Sequence, residues 1–165
     1  MKFHQIFKAA IHEPKKLAAF RLLPIGKTFQ YVFLFVTLFT LISFIRYILS
    51  GTSLFENSPD VEEYGKSLGG LIYPIAFFLQ LVISTFYIFV RVSIFAYAGT
   101  LLAKVLKRRG DFRFVWRTSA IASTVPLLLT MLFDFFPMFD SYSMIVTSVV
   151  HLSYIGAAVR YYPKL

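Results

Sequence analysis

A chain of 165 residues that is 58% hydrophobic and only 15% charged, with a mean hydropathy of +0.69, carries too little charge to cover a water-soluble domain of its size. Lipid is its natural solvent. It has no cysteine, which excludes disulfides, thiolate metal sites, cysteine nucleophiles and thiol redox chemistry. A net charge of +9 raises nucleic acid as a partner, but the basic residues are gathered between apolar runs, where they set membrane topology instead; no nucleic acid is expected.

The first residues are not expected to form a secretory signal, because the apolar run starts late and lacks a small-residue cleavage site. Residues 1–27 read as a cytoplasmic, interfacial amphipathic segment. Phe3, Ile6, Phe7, Ala10 and Ile11 recur at helical spacing, with Lys2, Gln5, Lys8 and His12 around them. Pro14 suits the first turn of a second short helix, which sets Leu17, Phe20 and Leu23 against Lys15, Lys16 and Arg21. Such a segment is expected to lie on the inner leaflet, drawn to anionic headgroups by about 1 kcal/mol per basic residue. A helix that docks a partner is the other reading. Pro24 and Gly26 turn the chain into the first span.

Residues 28–165 read as one domain, an all-α polytopic transmembrane bundle. A crossing helix needs about 20 mostly apolar residues, and four stretches qualify: 28–49, 71–103, 118–136 and 142–159. The connections are 50–70, 104–117 and 137–141. The second stretch stays apolar to Val105, and a straight helix from Leu71 to Leu106 would run roughly 54 Å against about 30 Å of hydrocarbon. One long tilted helix that passes the inner interface, with Arg91 near the headgroups, accounts for this. A break near Arg91 would instead make two spans and carry Lys107, Arg108 and Arg109 to the outer side. Of the 17 basic residues, all except Lys66 and the intramembrane Arg46 and Arg91 fall in the N-terminal segment, the second connection or the tail. The excess of Lys and Arg on cytoplasmic loops then places both termini in the cytoplasm. Lys15, Lys16, Arg21, Lys107, Arg108 and Arg109 are the candidate contacts to anionic inner-leaflet lipid. Glu56, Asp60, Glu62, Glu63, Asp134 and Asp140 fall on the other side, where a solvated acidic loop explains them better than a calcium site.

The spans carry polar residues at helical spacing: Tyr73, Gln80, Ser84, Tyr87 and Arg91 in the second; Ser119, Ser123, Thr130 and Asp134 in the third; Ser143, Thr147, His151 and Tyr154 in the fourth; Thr40, Ser43, Arg46 and Ser50 in the first. Each set shares one helix face, and the faces are expected to meet inside the bundle. Two readings stand. The stripes are interhelical glue at roughly 0.6 kcal/mol per bond, or they line a hydrated crevice. Ionisable groups within spans are functional candidates by default, so Arg46, Arg91, Asp134 and His151, with Gln80, form the candidate intramembrane set. Arg46 and Asp134 lie at similar depth, where they pair or each snorkel to the outer headgroups. Arg91 is expected to snorkel to the inner headgroups. His151 is expected to be neutral and bonded to a Ser, Thr or Tyr, with a proton relay as the alternative. Pro126 should kink the third span.

No metal or cofactor is expected. His4, His12 and His151 are too far apart in the topology to converge, and neither a glycine-rich phosphate loop nor a nucleophile elbow is present. These absences point away from an enzyme.

The stretches "HEPKKLAAFRLLPIGKTFQYVFLF" and "KVLKRRGDFRFVWRTSAIASTVP" set a basic amphipathic lead before the first span, then a basic turn before a Ser/Ala-rich span with proline. In this the chain resembles an uncharacterised bacterial membrane family labelled maltodextrin-utilisation protein, itself similar to the Yip-type membrane proteins. The resemblance covers most of the chain. It implies a multi-pass protein of the bacterial plasma membrane with no known catalytic residues, and at most an accessory role beside sugar uptake. The connection 50–70 is shorter than in comparable members, so a function housed there does not carry over. The expected function is therefore a non-enzymatic accessory or scaffold protein acting on lipids, on other membrane proteins or on itself. The alternative is a small oligomeric transporter or channel component.

Overall fold

The structure is a computed structural model that describes residues 3–49, 69–136, 138 and 140–164. Among them no strand forms, and the chain is a helical bundle: α1 (Phe3–His12), α2 (Pro14–Ala19) with a 3-10 turn through Leu22, α3 (Ile25–Leu49), α4 (Ile72–Val105), α5 (Phe112–Ala122), α6 (Thr124–Phe133) and α7 (Asp140–Val159). Among the described residues four stretches are long and apolar enough to cross a membrane: Ile25–Arg46, Tyr73–Val105, Phe112–Phe133, which joins α5 and α6, and Ser141–Val159. The chain is an integral membrane protein of helical-bundle architecture. Lys66 and the acidic residues Glu56 to Glu63 lie outside the described residues.

Local chemistry sets the helix ends. Pro14 opens α2 at its first turn, where a missing N–H is no loss. Pro24 offers its carbonyl to the amides of Lys27 and Thr28 at the start of α3. The second apolar stretch is one unbroken helix of 34 residues, α4. Lys107 ends it in the left-handed region at φ 53, and the Lys107 and Arg108 amides bond back to the carbonyls of Lys104 and Ala103, the paired closure of a Schellman motif. Gly110 then passes against Ala103, where a Cβ would collide.

The third span departs from expectation at both ends. It starts at Phe112 rather than residue 118, and helix α6 ends at Phe133. Mean hydropathy counts Arg113 and Arg117 against a span whichever way they point. In the structure Arg113 is exposed and Arg117 reaches the carbonyl of Arg21 at 3.2 Å, so neither charge stops the helix. The kink expected at Pro126 is found as a break at Ser123. Pro126 falls in the first turn of α6, where it is tolerated. The hydroxyls of Ser123 and Thr124 bond to the carbonyls of Ala120 and Ile121 at 2.8 and 2.6 Å.

The N-terminal segment is amphipathic as expected, and much of its apolar face packs against the bundle. Ile6, Ala9, Ala10, Leu17, Ala18 and Phe20 are buried within the protein. Phe3 and Phe7 pack on Tyr31 and Phe35 of α3, and Tyr154 of α7 donates to the Ile11 carbonyl at 3.0 Å. Phe3 and Leu22 stay exposed at 41% and 67%, so most of the apolar face, though not all of it, packs on three spans. Lys8, Lys15 and Lys16 remain exposed on the opposite face.

Around this frame the third span is the hub. Of its apolar window 61% is buried, against 33%, 22% and 28% for the first, second and fourth spans. Gly99 of α4 lets the third and fourth spans close in: a Cβ there would stand 2.6 Å from Ile155 and 2.8 Å from Val115.

Candidate functional site

The buried face of α4 carries Ser84, Ile88, Arg91, Val92, Ala96, Gly99 and Ala103, at steps of three or four except for the adjacent Arg91 and Val92, so one stripe of the helix meets its neighbours. Of the polar stripe expected on this helix, Ser84 and Arg91 are inside. Gln80 is half-buried, and Tyr73 and Tyr87 are exposed at 51% and 42%. Arg46 is exposed at the far end of α3, and Asp134 is half-buried just past α6.

Arg91 does not snorkel. It is only 9% exposed; its Nη2 donates to Thr147 Oγ1 of α7 at 2.8 Å, its Nη1 donates to the Tyr87 hydroxyl at 3.2 Å, and its guanidinium stands 5.8 Å over the Phe95 ring. The Thr147 hydroxyl donates its own hydrogen bond to the Ser143 carbonyl at 2.8 Å, which leaves its lone pairs to the cation. A long helical side chain leans toward the N-terminus of its own helix, and in α4 that direction runs into the bundle, toward Tyr87, and away from the basic end. No ion pair to Arg91 forms among the described residues. Thr147 stands seven residues from the start of α7 and twelve from its end, about 10 and 18 Å at 1.5 Å per residue.

One helix layer nearer the basic end, His151 is fully buried. Its Nε2 lies 3.1 Å from the Ser119 carbonyl and 3.3 Å from the Ser119 hydroxyl. A carbonyl only accepts, so Nε2 carries the proton and donates. Ser119 in turn donates to the Val92 carbonyl at 3.0 Å. Nδ1, the acceptor of this tautomer, has no hydrogen-bond partner, and Phe95 packs on the ring at 4.5 Å. The link from α7 through α5 to α4 ties three spans at one level. It matches the expected partner type for His151, a serine on a neighbouring span.

Arg91 also lines a groove of about 590 Å³ between α4 and α7, walled by Ile83, Phe86, Val90, Ile94, Phe95 and Met144. Phe86, Ile94 and Met144 are 69%, 62% and 71% exposed, so the groove opens on the apolar flank that a bilayer would cover. The arrangement presents a fixed positive charge at the wall of an apolar slot. Among the described residues no three His, Asp or Glu side chains gather in a way that would hold a metal.

The basic candidates divide. Lys15, Lys16, Lys107 and Arg109 are exposed, and Lys16 pairs with Glu13 at 2.8 Å. Arg21 and Arg108 are half-buried and serve the tail: Arg108 donates to the Tyr162 carbonyl at 2.9 Å, and Arg21 stands 5.0 Å over the Tyr162 ring. The Arg109 amide bonds to the Pro163 carbonyl at 2.9 Å. The Tyr162 hydroxyl is buried against Thr118; burial raises its pKa above the usual tyrosine value, against smaller lowering effects of Thr118 and Arg21. Two polar ties went unforeseen, Tyr162–Thr118 and the 2.7 Å bond between Tyr31 and Thr124. Tyrosine near a span end is an interfacial signal by itself, and only the register between helices reveals its partner.

A family described as "Protein of unknown function (DUF1189)" matches residues 49–159. The match takes in α4 to α7, with Arg91, Ser119, Thr147 and His151, and leaves α1 and α2 outside. No curated protein and no solved structure matches the chain.

Proposed function

The chain belongs to the DUF1189 family, and from that premise we propose that it is a non-enzymatic accessory subunit of the membrane, working by lateral contact of its α4–α7 flank with other membrane proteins. The observation that carries this reading is Arg91: a nearly buried cation, without an ion-pair partner among the described residues, at the wall of a groove that opens sideways. Charged groups within a span are costly and are retained where they meet a partner. The inward hydroxyls support the same reading. Ser119 donates to the Val92 carbonyl of α4, Thr124 meets the Tyr31 hydroxyl of α3 and Thr147 accepts from Arg91 of α4, which is the work of glue between helices.

The charge distribution supports both termini on the cytoplasmic side, and the family resemblance adds the bacterial plasma membrane as the location. In that orientation the exposed Lys15, Lys16, Lys107 and Arg109 face anionic inner-leaflet headgroups. The resemblance to the maltodextrin-utilisation label adds sugar uptake as the process assisted. The second reading, a subunit of an oligomeric transporter, draws on Ser84 Oγ and His151 Nδ1, buried polar atoms with no hydrogen-bond partner. Native mass spectrometry of the protein extracted in lipid nanodiscs separates the two. A stable hetero-oligomer with another membrane protein is the expected result. A homo-oligomer that carries solute flux in vesicles would sink the accessory reading.

A further inference from the structure

We propose that the α4–α7 groove receives a transmembrane helix of another protein, and that this helix carries an Asp or Glu at mid-membrane depth which pairs with Arg91. The inference rests on the accessory reading and names the chemistry of the partner.

Charge decides the first point. The Arg91 guanidinium is satisfied by hydroxyls of Tyr87 and Thr147 and by the face of Phe95, but its positive charge meets no carboxylate among the described residues. A carboxylate entering the groove would form the short, charge-assisted bonds for which a guanidinium fork is shaped. Depth decides the second. The Thr147 partner lies about 10 Å inside one end of α7 and about 18 Å inside the other. A phospholipid would have to draw its phosphate that far into hydrocarbon, whereas a helix presents a side chain at mid-depth without moving its ends. The third point concerns a second copy of this chain. None of its eight Asp and Glu residues falls within the four spans, so a homodimer places no acid at the level of Arg91. The walls fit a helix as well. Ile83, Phe86, Val90 and Ile94 run along α4 at helical spacing, with Met144 opposite on α7, a ridge-and-groove surface for apolar knobs.

The test uses the full chain in phosphatidylcholine vesicles with a dye at its N-terminus, and a synthetic polyleucine transmembrane helix with a central Glu, Gln or Leu. Energy transfer reads association. The Glu helix is expected to bind about tenfold more tightly than the Leu helix, the size of a charge-assisted hydrogen bond. Arg91→Met should abolish the preference and Arg91→Lys should keep most of it. Ile94→Trp, at a position 62% exposed and so safe for folding, should block the Glu helix while leaving Arg91 in place. Equal binding of the Glu and Leu helices, or a Glu preference that survives both Arg91→Met and Ile94→Trp, would overturn the proposal. Anionic lipid retained by the wild type and lost from Arg91→Met in native mass spectra, with no Glu preference, would assign the groove to lipid. A hetero-oligomer whose partner docks elsewhere would keep the accessory reading and remove this one alone.

Discussion

The third span and α4 lie side by side and invert the logic of a soluble protein. The third span is the least apolar of the four, with a mean hydropathy of 1.3, and the most buried, at 61% of its window; α4 reaches 2.0 and is 22% buried. In water the more apolar helix would take the centre. Lipid tails are as apolar as leucine, so burying leucine among helices yields little there. What drives a helix inward is polarity that lipid cannot satisfy and smallness that lets backbones approach. Thr118, Ser119, Ala120, Ala122, Ser123 and Thr124 supply both in the third span. The long apolar faces of α4 are the exposed surface left to lipid.

That contrast is tested hardest where α4 itself turns small. Gly99 touches both neighbours, with Ile155 and Val115 inside the space that a Cβ would fill. Gly99→Leu should cost about 3 kcal/mol or more through overpacking, read as a fall in the unfolding midpoint in mild detergent or as loss of folded protein. Gly156, on α7, has nothing within 4 Å of its would-be Cβ, and Gly156→Leu should leave the midpoint nearly unchanged. If both variants behave alike, close backbone approach at Gly99 is not what holds the spans together.

Much of this was legible in the sequence, for a physical reason. A run of twenty apolar residues has few other places to go, so the existence of four spans could be read directly, while the unbroken course of α4 was only the favoured of two readings and the third span begins six residues earlier than its hydropathy suggests. Spacing alone put Ser119, Ser123, Thr147 and His151 on inward faces. The rest depended on information the pattern does not hold. An amphipathic helix looks the same whether protein or lipid covers its apolar face, so the docking of Ile6, Ala10 and Leu17 on the bundle was invisible. Arg91, about 30 Å along a helix from the outer start of its apolar run, reads as a headgroup contact until its side-chain direction and the neighbouring Thr147 are known. The bonds of Tyr31 to Thr124 and of Tyr162 to Thr118 join residues 93 and 44 positions apart, which periodicity within one helix cannot connect.

A smaller effect sharpens the comparison from the hub side. Tyr31 is 2% exposed, and its hydroxyl meets Thr124 at 2.7 Å, joining α3 to the first turn of α6. Tyr31→Phe keeps the ring and its packing on Phe3 and Phe35 and removes the bond. A double-mutant cycle with Thr124→Val should give a coupling of about 0.6 kcal/mol and not above about 1.7. Thr124 keeps its own bond to the Ile121 carbonyl at 2.6 Å, which limits the loss. A coupling near zero would mean that packing alone seats α3 on the third span.

The smallest effect belongs to the lipid-facing flank of α4, and it is the one that bears on assembly. Ile75 and Leu79 are 60% and 56% exposed and lie outside the Arg91 groove. In a monomer the exposed part of these side chains would meet acyl chains, which flow into whatever space a truncation leaves. The Ile75→Ala and Leu79→Ala pair should therefore change stability by no more than about 0.5 kcal/mol, the usual size for surface positions. A loss of about 2 kcal/mol would carry the signature of a cavity. A cavity forms only between surfaces that cannot flow, so that result would place another protein against this end of α4. It would extend the contact face from the Arg91 groove along the helix. A silent double variant would confine contact to the groove, where the charge is.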